Sequence, residues 1–234
     1  MVLRENAMHA CRTDSDESGR QAGAVAHVRR REACAYLGCA GFAVWPIRGH
    51  AEAAPLQRGR QEFDALALEA ARLGVPERIA FLNAWVNQLV DPRADAPAHD
   101  DWATPYETLA RGTGDCEDSA IAKFFLLLAS GTPDAGVRLL YAWHRLGDRP
   151  SDRPALRRAH MVAVARWRFE DPWVLDSINM LAVPLSRRDD IVPVFSFDEQ
   201  HLWRRLDAQP LPPPRDRLRP WQALLGRWRA QSAH

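Results

Sequence analysis

Apolar residues recur at helical spacing over 56–74 and again over 76–90. In the second stretch Ile79, Leu82, Val86, Leu89 and Val90 form the repeat, and Pro76 suits a first helical turn. Asp91-Pro92 ends that helix. Residues 91–103 then read as a polar loop whose Asp91, Asp95, Asp100 and Asp101 lack the spacing and central glycine of an EF-hand. A third helix is predicted over 115–130, with Ala120, Ile121, Phe124, Phe125, Leu127 and Leu128 apolar and Gly131 at the stop. Past it the pattern becomes strand-like in Val137–Trp143, Met161–Trp167 and Trp173–Ile178, with the polar loop Arg145–Arg158 between the first two. Residues 207–221 hold Pro210, Pro212, Pro213 and Pro214 and read as a tail or edge segment that breaks regular structure. Helices first and an antiparallel sheet after them predict one α+β domain.

The N-terminal fifty residues do not fit that domain. Arg29-Arg30-Arg31 precedes an apolar run from Ala33 to Trp45, and Ala51-Glu52-Ala53 offers a small-x-small cleavage site. That is the pattern of an export leader, too short in its apolar part to span a bilayer. A lipoprotein site at Leu37-Gly38-Cys39, and a buried helix or tail of a cytosolic protein, are the other readings. The expected division is 1–53 as leader or N-terminal extension, 54–206 as the domain, and 207–234 as a Pro/Arg-rich tail. The chain has 234 residues, enough for one well-buried domain. A formal net charge of +1 gives no electrostatic case for nucleic acid or an anionic membrane as partner. No other segment approaches membrane-spanning length.

With the leader removed, Cys116 is the one cysteine left, because the other three are Cys11, Cys34 and Cys39. It cannot form an internal disulfide, and an unpaired thiol in an oxidising compartment points to use of its reactivity. Cys116 follows a Gly-rich turn and opens a helix, where unpaired N–H groups and the helix dipole favour a thiolate and a developing oxyanion. A cysteine nucleophile also needs a base and a group to orient it. A hairpin turning near residue 168 or 169 brings His160 and Asp176 directly opposite or diagonal to one another, on one face if the pairing sum is even. Asp115, Glu117 and Asp118 crowd the sulfur. They read either as ordinary first-turn helix acids or as ligands for a hard cation such as Ca²⁺, which would neutralise them. Trp102 is a candidate wall of the cleft or aid to the oxyanion, against the ordinary role of a core aromatic. His144 and His201 read as structural. Nothing resembles a zinc ligand set or a phosphate loop.

The words Trp102-Ala-Thr-Pro-Tyr-Glu107, Gly114-Asp-Cys-Glu-Asp118 with Ala120-Ile-Ala-Lys-Phe124, Ala159-His-Met-Val162, Val174-Leu-Asp176 and Val192-Pro-Val-Phe-Ser-Phe197 resemble the bacterial transglutaminase-like cysteine proteinases of LapG type. Ser119 and Ser177 depart from that family's usual residues. The resemblance implies a papain-like, transglutaminase-like core whose nucleophile-bearing helix packs on an antiparallel sheet. It implies Cys116 as nucleophile, His160 as base and later acid, Asp176 as orienter, and Ca²⁺ held at Asp115 and Glu117, with Asp118 a weaker match. It further implies a periplasmic endopeptidase that cuts a large surface adhesin near its N-terminus at paired alanines. The usual partner is the periplasmic domain of an inner-membrane cyclic di-GMP receptor. The competing readings are transglutaminase-type transfer to an amine, a non-catalytic peptide-binding module and a peptidoglycan amidase.

Overall fold

The computed structural model describes residues 55–93, 101–133, 136–147, 156–167, 171–211 and 218–233. The expected leader, Asp95 and Asp100 of the acidic loop, and the hairpin turn at 168–170 lie outside them.

Two helices open the described chain, α1 (Pro55–Ala71) and α2 (Val75–Leu89), close to the predicted bounds. The next two residues depart from the expected loop. Asp91–Pro92 forms a short strand, β1, that pairs in parallel with β2 (Thr113–Gly114). Between them lies a helix that apolar periodicity does not reveal, α3 (Pro105–Arg111). It is set by its cap: the Thr104 hydroxyl accepts from the Glu107 N–H, the Glu107 carboxylate accepts from the Thr104 N–H, and Pro105 fills the first turn. Gly112 ends it in the left-handed region at φ 65°. A glycine also lets α1 and α3 pack closely, since a Cβ at Gly59 would collide with the Tyr106 carbonyl oxygen.

Helix α4 (Cys116–Ala129) is buried along almost its whole length. It closes as predicted at Gly131 (φ 82°), where Thr132 N–H donates to Leu127 O at 2.9 Å and Gly131 N–H to Leu128 O at 2.9 Å.

The six-stranded sheet contains β3 (Val137–Leu146), β4 (Leu156–Ala165), β5 (Trp173–Leu175), β6 (Val183–Pro184), β7 (Ile191–Phe197) and β8 (Leu202–Arg204). Their order is β6-β5-β4-β3-β7-β8, with every pairing antiparallel. Strand β4 is buried on both faces from Ala159 to Ala165, which explains the apolar run that follows His160. Leu140, Ala142, Val162, Val164, Val174 and Ile191 pack together as one cluster of the core. Helix α4 packs against β4 and β3, and α2 packs against α4 and β5.

The C-terminal stretch corrects the expectation of a tail. Arg219–Ser232 forms helix α5 with Pro220 in its first turn. Its Trp221 is 1% exposed and contacts Trp102, Phe124, Phe125 and Phe197, while Trp228 contacts Phe63, Tyr106 and Phe125. Its two tryptophans join the helix to the aromatic core. Trp221→Ala should cost about 3–5 kcal/mol in urea unfolding, the range for removing a large buried aromatic. A loss below about 1 kcal/mol would show that α5 is dispensable.

Candidate active site

The register of β4 against β5 centres on residue 169, pairing Ala163 with Leu175 and Ala165 with Trp173. Continued outward it sets Asp176 opposite Val162, so His160 and Asp176 are diagonal neighbours on one face. Their side chains meet: His160 Nε2 lies 2.7 Å from Asp176 Oδ1, in a buried pair. With Nε2 taken by the carboxylate, Nδ1 is the ring nitrogen left for proton transfer.

Asp176 is fully buried and held from several sides. Its Oδ1 also accepts the Ile178 N–H at 3.1 Å, and its Oδ2 accepts from Arg188 Nη2 at 2.7 Å. Burial pushes this carboxyl up. The bonds from His160, Ile178 and Arg188 and the nearby positive charge outweigh that push and hold it well below the usual carboxylate range. Its backbone is fixed as well, because Asn87 Nδ2 on α2 donates to Asp176 O at 2.7 Å and to Asn179 O at 3.0 Å.

Behind Asn87 stands a buried lysine. Lys123 Nζ donates to Asn87 Oδ1 at 2.6 Å from the middle of α4. Burial lowers its pKa from 10.5 to about 7, against the opposing pull of Asp176. Lys123 therefore holds its proton less tightly folded than unfolded. Its cost to stability is present in full below about pH 7 and fades as pH rises toward 10.5. Across that window the folding stability of wild type relative to Lys123→Met should climb with pH, as read by urea melts at stepped pH. A pH-independent difference would contradict a neutralising Lys123.

Cys116 opens α4, the helix that lies against the strand of His160. Its Sγ donates to Glu117 Oε2 at 2.8 Å. Asp115 caps the helix, with Oδ1 accepting the Asp118 N–H at 3.0 Å. The three neighbouring acids thus separate into different situations. Asp118 is 1% exposed and bonded to Ala103 N–H at 2.8 Å and Arg111 Nη2 at 3.1 Å, so it braces the segment before α3. Asp115 and Glu117 are half-buried at the helix start, and their carboxylate oxygens are hard donors of the kind Ca²⁺ prefers. Among the described residues no group of three or more His, Cys, Asp or Glu side chains is gathered to hold a metal. An ion at these two carboxylates would take the rest of its shell from carbonyl oxygens and water.

Trp102 is 5% exposed, with its ring stacked on Phe197 at 6.1 Å and its carbonyl accepting from Arg227. It serves the aromatic core, the ordinary role for such a residue. His144 lies closer to the chemistry than its sequence reading implied: its ring centroid is 5.6 Å from that of His160, and its Nε2 is 3.2 Å from Asp190 Oδ2. Burial and the neighbouring His160 lower its pKa, with Asp190 and Asp176 opposing. His201 stays structural, 3.6 Å from Asp198. Sequence reasoning missed Asn87, Lys123 and Arg188. Only Lys123 carried a signal, a charged residue inside an apolar helical run.

No family model matches the chain, and no curated protein matches it. Solved structures do. LapG of Legionella pneumophila, EGTA-treated, aligns with a TM-score of 0.63 at 28% identity, over 76% of this chain and 91% of that one. The calcium-bound form of the same protein aligns with a TM-score of 0.60 at 28% identity, over 75% and 92%. Aligned over nearly the whole of the solved chains, this chain is similar to the LapG proteases and shares their mixed α+β, transglutaminase-like fold.

Proposed function

We propose that this protein is a calcium-dependent cysteine endopeptidase of the periplasm, and that it releases a large surface adhesin by cutting near its N-terminus at paired alanines. The observation that carries the reading is the buried His160–Asp176 pair on the strand against which the Cys116 helix packs. In the proposed chemistry, His160 Nδ1 takes the Cys116 proton and Sγ attacks the scissile carbonyl carbon. An amide of the first turn of α4 donates to the oxyanion. The imidazolium then gives its proton to the leaving amine, leaving an acyl group on sulfur. Water, deprotonated by the same imidazole, hydrolyses the thioester and returns the free enzyme. Asp176 stays ionised throughout and holds the ring in one tautomer.

Asp115 and Glu117 would hold the calcium ion, in keeping with the calcium-bound state in which the Legionella protein is known. Bound there, the ion would neutralise the negative charge beside the nucleophile and fix the helix start. It would also compete for Glu117, which otherwise engages the thiol. No described helix is long and apolar enough to cross a membrane. Periplasmic location rests on the leader pattern in 1–53, and the cyclic di-GMP receptor is the regulatory partner the family implies.

The test is incubation of the full chain with an N-terminal adhesin fragment carrying a paired-alanine site, in calcium and in EGTA, with products identified by mass. Two fragments split at the alanines, formed in calcium only, are expected. An intact substrate that instead gains a labelled amine would replace hydrolysis with transglutamination. An intact and unmodified substrate would leave a binding module.

A further inference from the structure

We propose that Arg188 is a positioning residue for the reaction, the group that fixes the plane and charge of the Asp176 carboxylate so that His160 stays aimed. The inference rests on the triad reading above and adds a member that no sequence word contains.

A carboxylate held to an imidazole through one oxygen can still rotate about its Cβ–Cγ bond, and it carries the ring with it. Here the second oxygen is held too. Asp176 Oδ1 takes His160 and the Ile178 N–H, and Oδ2 takes Arg188 Nη2 at 2.7 Å, so both edges of the group are fixed. Arg188 is itself held rigidly. Its Nε donates to Asp190 Oδ1 at 2.8 Å and its Nη2 to Asp190 Oδ2 at 2.7 Å, a two-point grip on a planar guanidinium. Its backbone is tied on both sides, Arg188 N–H to Leu185 O and Ile191 N–H to Arg188 O, each at 2.9 Å. Asp190 Oδ2 reaches on to His144, beside the His160 ring. An unbroken chain thus runs His160–Asp176–Arg188–Asp190–His144.

Asp176 is 0% exposed and Arg188 6% exposed, so the guanidinium in contact with Oδ2 adds a buried countercharge to the bonds that His160 and the Ile178 N–H make to Oδ1. Arg188 Nη1 is buried with no hydrogen-bond partner among the described residues. The guanidinium is thus seated for its two carboxylates and leaves one of its own donors unsatisfied, which sets it apart from an arginine buried to satisfy all its bonds. Without it, the Oδ2 edge of Asp176 is released, the carboxylate is free to turn about Cβ–Cγ, and His160 is aimed less firmly.

The experiment uses the full chain with calcium, the adhesin fragment as substrate, and four variants: Arg188→Met, Arg188→Lys, Asp176→Asn and the Met/Asn double. Arg188→Met should lower kcat by about 10- to 100-fold with KM within about twofold, the size of effect seen when a supporting residue is lost. Arg188→Lys should fall between it and wild type. In the Asp176→Asn background the same Met substitution should change kcat by less than about twofold, because its target is already gone. A Met variant with wild-type kcat, or a full-sized loss persisting in the Asn background, overturns the proposal. If Arg188→Met does not fold, the double variant removes both charges, and its comparison with Asp176→Asn decides alone. Wild-type activity in Asp176→Asn would instead overturn the triad reading itself, a separate outcome.

Discussion

Cys116→Ala should lower cleavage of the proposed adhesin substrate by about 10⁴- to 10⁶-fold, while its urea unfolding should stay within about 1 kcal/mol of wild type. The sulfur is the one atom in the proposed scheme that forms and breaks a bond with substrate, and nothing else at the start of α4 can replace it. The side chain is half-buried at the helix start, where its Sγ donates to the neighbouring Glu117 carboxylate, and an alanine keeps the helical backbone. The loss should also be non-additive. His160→Ala on top of Cys116→Ala lowers the rate no further, because a base without its nucleophile has nothing to activate. Steady-state cleavage by the two single variants and the double checks this. Retained cleavage in Cys116→Ala would remove the assignment.

The second large effect is loss of the metal. EGTA, or the pair Asp115→Ala and Glu117→Ala, should lower kcat/KM by about 100-fold or more, since ligands should matter at least as much as the outer-shell groups that cost 10- to 100-fold. Added calcium should reverse EGTA and leave the double variant inactive. Asp118→Ala should behave differently. Asp118 is buried and tied to Ala103 and Arg111, so its loss should appear first as reduced stability. Calcium titrations of activity and of thermal unfolding on the three proteins separate the two roles. Equal calcium affinity in wild type and the Asp115/Glu117 variant would move the ion elsewhere.

Much of the fold is legible in the sequence, and the reasons are local. α2 and α4 announce themselves by apolar spacing and by Pro76 and Gly131. The strand pair of His160 and Asp176 follows from a short connection and the period of two. What stayed hidden depends on short signals or distant partners. α3 is seven residues long, too short for periodicity, and only the Thr104–Glu107 capping pair marks it. α5 was masked by the prolines before it, though Trp221, Leu224 and Leu225 form a buried helical stripe. Asn87 and Arg188 reach Asp176 from 89 and 12 residues away, from a helix face and a loop, and no local pattern forecasts such contacts. For Trp102, fourteen residues before the nucleophile, the sequence offers both a cleft and a core role, and the Phe197 and Trp221 rings it packs against are distant in sequence.

Activation of the Cys116 sulfur by the His160–Asp176 pair is read directly by thiol alkylation. A chain beginning at Ala54 has Cys116 as its single cysteine, so haloacetamide labelling followed by peptide mapping reports on Cys116 alone. Rapid labelling near neutral pH, with activity lost in step and the rate falling in both His160→Asn and Asp176→Asn, is the predicted result. Labelling at the rate of an ordinary thiol, unchanged by either substitution, would contradict it.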